Sequence, residues 1–210
     1  MSAEQVLLVR PPDAGFLYVL AHGAGAGMRH PFLERAAQAF AARGIATYRY
    51  EFPYMRKGQS RPDPPAVAEA AVREAVGAAA RAAPGLPLVA GGKSFGGRMT
   101  SQAQSRTPLP GVRGLVFLSF PLHPPGRPSD ARAEHLSAVQ VPMLFLQGTR
   151  DEFAQRELLE PVVMRLGGRA TLHLVEEGDH SFRVPKRTGK TEADVMNELA
   201  EVIAQWATGL

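Results

Sequence analysis

The stretch Gly92-Lys93-Ser94-Phe95-Gly96 combines residue types and spacing that suit covalent chemistry. It follows an apolar run, Leu86 to Ala90, that reads as a strand, and it opens a helical stretch. A serine on so sharp a strand-to-helix turn is held in a strained backbone conformation, and its neighbours must be small because a Cβ would clash there. Glycines stand on both sides, Gly91 and Gly92 before the turn and Gly96 and Gly97 after it. The turn exposes the hydroxyl at the C-terminal edge of a sheet, with a helix N-terminus behind it to favour negative charge. A hydroxyl is a weak nucleophile at neutral pH, so it needs a base, and the base needs an acid to set its tautomer. Asp151, in Gln147-Gly148-Thr149-Arg150-Asp151, follows the apolar run Pro142 to Leu146, and His180, in Glu177-Gly178-Asp179-His180, follows Thr171 to Val175. Serine, then acid, then histidine, each on a loop after a strand, is a known order for such a relay, and the spacing leaves room for the crossovers between them.

Each candidate also has a plainer reading. Asp151 can cap the helix that follows it, and His180 can be a surface histidine. Asp179 is a rival acid, although a neighbour in sequence can hardly align with the imidazole beside it. Acyl transfer further needs two amide donors for the oxyanion. The residue after the nucleophile, Phe95, supplies one, and the loop His22-Gly23-Ala24-Gly25-Ala26-Gly27, after the run Phe16 to Ala21, supplies the other through Ala24 or, next, Gly23. His22 reads as a brace for that loop rather than a base. His22, Gly23, Lys93 and His123 are candidates to line the pocket, His123 being equally readable as a plain loop residue in Pro121-Leu122-His123-Pro124-Pro125. Lys93 and Arg98 can favour an acidic substrate, but solvent-facing placement is the simpler reading of both.

The same glycines fail the nucleotide motifs. A P-loop requires glycine at position 87, which is Pro87, and a dinucleotide fingerprint from Gly23 and Gly25 requires a small residue where Met28 stands. Glu51 sits roughly where a ribose-binding acid belongs, and without the third glycine that reading is a distant second. The six histidines show no metal-binding spacing, so no metal is expected, and the absence of cysteine excludes thiol nucleophiles, disulfides and thiolate metal sites.

The elements that must hold these residues follow from apolar patterning. Seven short apolar runs read as strands: Val6 to Val9, Phe16 to Ala21, Ile45 to Tyr50, Leu86 to Ala90, Gly114 to Ser119, Pro142 to Leu146 and Thr171 to Val175. Helical stripes alternate with them, through Phe32, Ala36 and Phe40, through Val67, Ala71 and Ala75, and through Val195, Leu199, Val202 and Trp206. Phe153 to Leu166 is helical by pattern, with Pro161 expected to start a new turn or kink it. The proline-rich stretches Pro53 to Pro65 and Pro121 to Ser129 read as irregular loops. This alternation predicts a three-layer α/β fold with a mostly parallel sheet, and 210 residues without a repeat or composition break predict one domain, 1–210.

The composition is that of an ordinary globular chain, 45% hydrophobic and 21% charged. A net charge of +4 is too weak a field to capture nucleic acid, and one basic cluster stands out, Arg183, Lys186, Arg187 and Lys190. Met1 to Arg10 holds Glu4 and no apolar run of signal or membrane-span length, which predicts a cytoplasmic protein without a membrane partner.

Taken together, His22-Gly23-Ala24-Gly25, Gly92 to Gly97, Pro121-Leu122-His123-Pro124, Gln147 to Asp151 and Gly178-Asp179-His180-Ser181-Phe182 resemble the α/β-hydrolase superfamily, in its small dienelactone-hydrolase-like branch. The likeness runs from about Phe16 to the C-terminus and is greatest to uncharacterised bacterial hydrolases related to the testis-expressed hydrolase-like proteins. It implies Ser94 as nucleophile, His180 as base, Asp151 as orienting acid, and no cofactor. Two departures are visible: seven strands where the superfamily has eight, and a connection between Ser119 and Pro142 too short for a large cap. The expectation is a serine hydrolase that cuts a small carboxylic ester or thioester through an acyl-enzyme. The alternative is an inactive hydrolase-fold module that binds through the Arg183 to Lys190 cluster and the Pro121 loop.

Overall fold

Aliphatic and aromatic runs with few polar interruptions extend as strands because both of their faces can be covered. In the computed structural model, which describes residues 6–210, they form one seven-stranded sheet in the order β1-β3-β2-β4-β5-β6-β7. Its strands are β1 (Val6–Val9), β2 (Phe16–Ala21), β3 (Ile45–Tyr50), β4 (Leu88–Lys93), β5 (Val112–Leu118), β6 (Met143–Gly148) and β7 (Ala170–Val175). All neighbours are parallel except β1, which runs antiparallel to β3 with Val6 opposite Tyr50. The expected three-layer α/β architecture is thus present. Glu4 and the other residues before Val6 lie outside the described residues.

Helices cover both faces. Helix α1 (Pro31–Ala41) packs through Phe32, Ala36 and Phe40, and α6 (Glu192–Ala207) through Val195, Leu199 and Ile203, on the face that carries Tyr18 and Leu20 of β2. The opposite face carries Leu17 and Val19 and is covered by α3 (Pro65–Ala82), α4 (Phe95–Arg106) and α5 (Arg156–Leu166). Local signals agree with these boundaries: Thr191 and Asp194 close a reciprocal capping box at the start of α6. No helix among the described residues is long and apolar enough to cross a membrane.

Four expectations are corrected. Strand β4 begins at Leu88 and continues through the glycines to Lys93, two residues later at its start and three at its end than the apolar run indicated. Within the stretch Pro53 to Pro65, Pro53–Arg56 makes one helical turn, α2, because proline at the first helical position loses no hydrogen bond. The buried stripe of α3 runs through Ala68, Ala71, Val72 and Ala75, and Val67 is exposed. Helix α5 starts at Arg156, not Phe153, and runs through Pro161. Pro161 deprives the carbonyl of Glu157, an exposed residue, of its helical partner.

Main chain approaches main chain closely at the turn from β4 into α4. A Cβ on Gly92 would lie 2.3 Å from the carbonyl oxygen of Ala21, and one on Gly96 would lie 2.6 Å from that of His22. Glycine is required there because the obstacles are backbone atoms that cannot rotate away. The Gly96→Ala protein is expected to lose stability by about 1–3 kcal/mol or more in chemical denaturation. Gly168→Ala, where a Cβ meets nothing within 4 Å, is the control, and equal midpoints for the two variants would contradict this packing.

Candidate active site

Ser94 occupies the cap position of α4 with φ 49° and ψ −112°, a conformation that costs free energy for any residue with a Cβ. Serine at such a position ordinarily caps its helix, yet this side chain makes no capping bond. Its Oγ lies 2.9 Å from Nε2 of His180 instead. Nδ1 of His180 in turn lies 2.7 Å from Oδ2 and 2.9 Å from Oδ1 of Asp151. With Nδ1–H donating to the carboxylate, Nε2 presents a lone pair to the serine hydroxyl. The three residues expected to meet are therefore in one hydrogen-bonded line.

The loops after β6 and β7 reach this line because they are laced together. A Cβ on Gly148 would stand 2.2 Å from the carbonyl oxygen of Gly178, so glycine permits the contact. The amide of Arg150 donates to Gly178 O at 2.8 Å, and the amide of Glu177 donates to the Thr149 hydroxyl at 2.8 Å. Asp151 is buried and accepts two further bonds, from the Phe153 amide at 2.8 Å and from the Gln147 side chain. It does not cap α5, whose cap residue is Gln155. Asp179 points elsewhere, with Oδ1 accepting from the amides of Ser181 and Arg183.

A family model described as an alpha/beta hydrolase domain matches residues 14–208. The chain belongs to this family. Solved structures share its fold. Dienelactone hydrolase from Anabaena variabilis matches with a TM-score of 0.74 at 18% identity, covering 97% of this chain and 90% of that one. A lidless α/β serine hydrolase from Xanthomonas campestris matches at 0.73 and 21%, covering 96% and 88%. An α/β serine hydrolase homologue from Coxiella burnetii matches at 0.73 and 18%, covering 98% and 93%. The resemblance read from the motifs is borne out for the α/β-hydrolase family, and the dienelactone hydrolase shares the fold.

In this hydrolase domain a cleft of about 290 Å³ opens beside Ser94 and His180. Gly23, Ala24 and Lys93 line it, as do His30, Phe32 and Leu33 at the start of α1, Phe153 and Ser181. His22 and His123, the other two pocket candidates, do not. His22 is fully buried, and its ring bridges the Gly23 carbonyl at 2.7 Å and the Phe52 amide at 3.1 Å. That pattern demands a neutral ring, and burial lowers its pKa accordingly. His123 is buried with Nδ1 against its neighbour's carbonyl, Pro124 O, and none of residues 121–129 reaches the cleft. The basic cluster is partly neutralised, with Arg187 on Glu177 and Lys190 on Glu198.

Lys93 departs from its solvent-facing reading. It is only 9% exposed, its ammonium donates to the His180 carbonyl, and it lies 5.8 Å and 6.0 Å from the ring centres of Phe32 and Phe182. Burial lowers its pKa to about 7, against the opposing pull of Asp151 and Asp179. Sequence reading also missed Gln147, Phe153 and the α1 wall. Gln147 stood in the quoted motif four residues before the acid, but Phe153, whose ring centre lies 4.2 Å from that of His180, carries no local signal.

A second serine–histidine contact joins Ser101 Oγ to His135 Nε2 at 2.7 Å. Ser101 is buried within α4, away from the cleft, and its hydroxyl also bonds Arg98 O. This pair fastens the short helical segment Ala131–Ala138, the regular part of the connection between β5 and β6, to α4.

Burial lowers the pKa of His180, and the charge of Lys93 adds to that; the bond to Asp151 opposes both. The imidazole is expected to titrate below the ordinary value of about 6.5 in an NMR pH series. Since the folded pKa is depressed, the site's contribution to stability is complete above the unfolded value and is lost as pH falls from there through the folded pKa. Lys93→Met is expected to move the midpoint upward. A wild-type midpoint above 6.5 would refute the stated balance of burial and charge.

Proposed function

We propose that this protein is a serine hydrolase that cleaves a small carboxylic ester or thioester through an acyl-enzyme on Ser94. The observation that carries the reading is the unbroken line from Ser94 Oγ through His180 to Asp151, set at the mouth of a cleft. In this mechanism Ser94 Oγ attacks the substrate carbonyl carbon while His180 Nε2 takes its proton. Asp151 holds the imidazole in the required tautomer and stabilises the imidazolium as it forms. The tetrahedral intermediate collapses, the bond to the leaving oxygen or sulfur breaks, and that atom receives the proton from Nε2. Water then attacks the acyl-Ser94 ester with His180 again as base, which releases the carboxylic acid and restores the serine.

The proposed oxyanion donors are the amides of Phe95 and Ala24. As the first residue of α4, Phe95 has an amide with no carbonyl one turn back to bond within the helix. In the loop after β2, the amides of Gly25 and Ala26 are already bonded, whereas among the described residues those of Gly23 and Ala24 have no partner. Ala24 also lines the cleft, which supports it as the donor. A cleft of about 290 Å³ lies at the small end of ligand sites, and Ala24, Ala26, Phe32, Leu33 and Phe153 give it apolar walls. Short or aromatic acyl groups fit this space better than long chains.

The family and the fold support the hydrolase reading, and the partial pairing of the basic cluster weighs against the binding-module alternative. Ser94→Ala and His180→Ala are expected to lower kcat for p-nitrophenyl acetate by at least about 10³-fold, and Asp151→Asn by about 10⁴-fold, with folding intact. Fluorophosphonate should label the wild type and not Ser94→Ala. Wild-type rates and labelling in Ser94→Ala would end the proposal. A panel from acetate to palmitate esters is expected to favour the short members.

A further inference from the structure

The loop after β2 is exposed at Ala24 and Gly25, yet both peptide planes flanking the Ala24 Cα are tethered. The plane before it holds the Gly23 carbonyl and the Ala24 amide, which point in opposite directions because a peptide unit is planar and trans. His22 Nδ1–H donates to that carbonyl at 2.7 Å, so it sets the direction of the Ala24 N–H. The plane after it holds the Gly25 amide, which donates to the Tyr54 hydroxyl at 2.9 Å. Two planes held in this way fix both φ and ψ of Ala24.

Both tethers are anchored by one segment, the end of β3 and the turn α2. The Phe52 amide donates to His22 Nε2 at 3.1 Å, and the Tyr54 amide donates to Asp63 at 2.8 Å. Glu51, which sequence reading weighed as a ribose-binding acid, accepts from the Met28 amide at 2.8 Å and so holds the far end of the same loop. Arg49, two residues earlier, donates to the Met28 carbonyl at 3.2 Å. The ring of Phe95, the residue after the nucleophile, packs edge-on against Phe52 and Tyr54 at 5.3 Å and 6.5 Å. The two amides assigned to the oxyanion therefore rest on one aromatic cluster.

We infer that Tyr54 is a positioning residue which, through the Gly25 amide, holds the Ala24 N–H in register with that of Phe95 for the developing oxyanion. The inference rests on the Ser94 reading above. Its hydroxyl touches no reacting atom; it acts by restricting where a donor can point, and burial keeps the phenol protonated by raising its pKa.

Tyr54→Phe removes the hydroxyl and keeps the ring in its packing. The test compares p-nitrophenyl butyrate with its thionoester, whose sulfur accepts hydrogen bonds weakly and gains little from an oxyanion site. In Tyr54→Phe, kcat for the oxygen ester is expected to fall about 10-fold or more, with KM within twofold of wild type. The thionoester rate should hold, so that the ratio of the two rates collapses. Amide exchange at Gly25 should quicken while exchange in β2 and β4 does not. Unchanged rates on both esters, or equal losses on both, overturn the positioning role. If the wild type is active, Ser94→Ala is inert and Tyr54→Phe behaves as wild type, only this inference falls. If the wild type is inert toward both esters, the Ser94 reading falls and takes the inference with it.

Discussion

Main chain presses on main chain at the C-terminal edge of this sheet, with no side chain between. Gly92 lies against β2, Gly96 against the residues that leave β2, and Gly148 against the loop that follows β7. A Cβ at any of the three would meet backbone atoms at under 3 Å, and backbone cannot swing aside as a side chain can. These contacts let the strand-to-helix turn fold tightly enough to leave Ser94 at φ 49°, and they let two distant loops lie against each other. The strain at one serine is sustained because the surrounding packing leaves it no alternative.

The electrostatic character of the site follows from that compactness. Asp151 is buried, but it is satisfied by the imidazole, the Phe153 amide and the Gln147 side chain, so its charge is solvated by protein rather than water. His180 is less favourably placed for holding a positive charge, since it is partly buried and has the Lys93 ammonium nearby. A ring that stays neutral near pH 7 while aligned with a hydroxyl is the state a general base requires. The proposed chemistry thus needs no group beyond those the strand ends already supply.

Two parts of the protein serve the cleft without belonging to the aligned trio. The first turn of α1 provides the wall formed by Phe32 and Leu33, and the segment from Arg49 to Tyr54 holds the loop after β2. The connection between β5 and β6 folds down onto α4 through Ser101 and His135. It leaves the mouth of the cleft uncovered.

The sequence by itself determined the seven strands and the chain order in which Ser94, Asp151 and His180 follow them. Apolar runs mark strands because backbone pairing needs covered faces, and the glycine pattern around Ser94 marks a turn that no bulkier residue could make. Chain order then singled out Asp151 and His180, since each follows a strand whose end must lie on the same rim as Ser94. Other features had no local mark. Phe32 repeats with Ala36 and Phe40 as a core stripe, and nothing in that repeat tells that its ring also faces a cleft. Glu51 and Tyr54 sit at the end of a strand and in a proline-rich stretch, and their partners lie over twenty residues away. Lys93 looked exposed because lysine usually is, yet its neighbours Phe32, Phe182 and His180 come from other parts of the chain. Tertiary structure decided these roles because burial, and the hydrogen bonds it demands, depend on which distant segments close over a residue and not on the residues beside it.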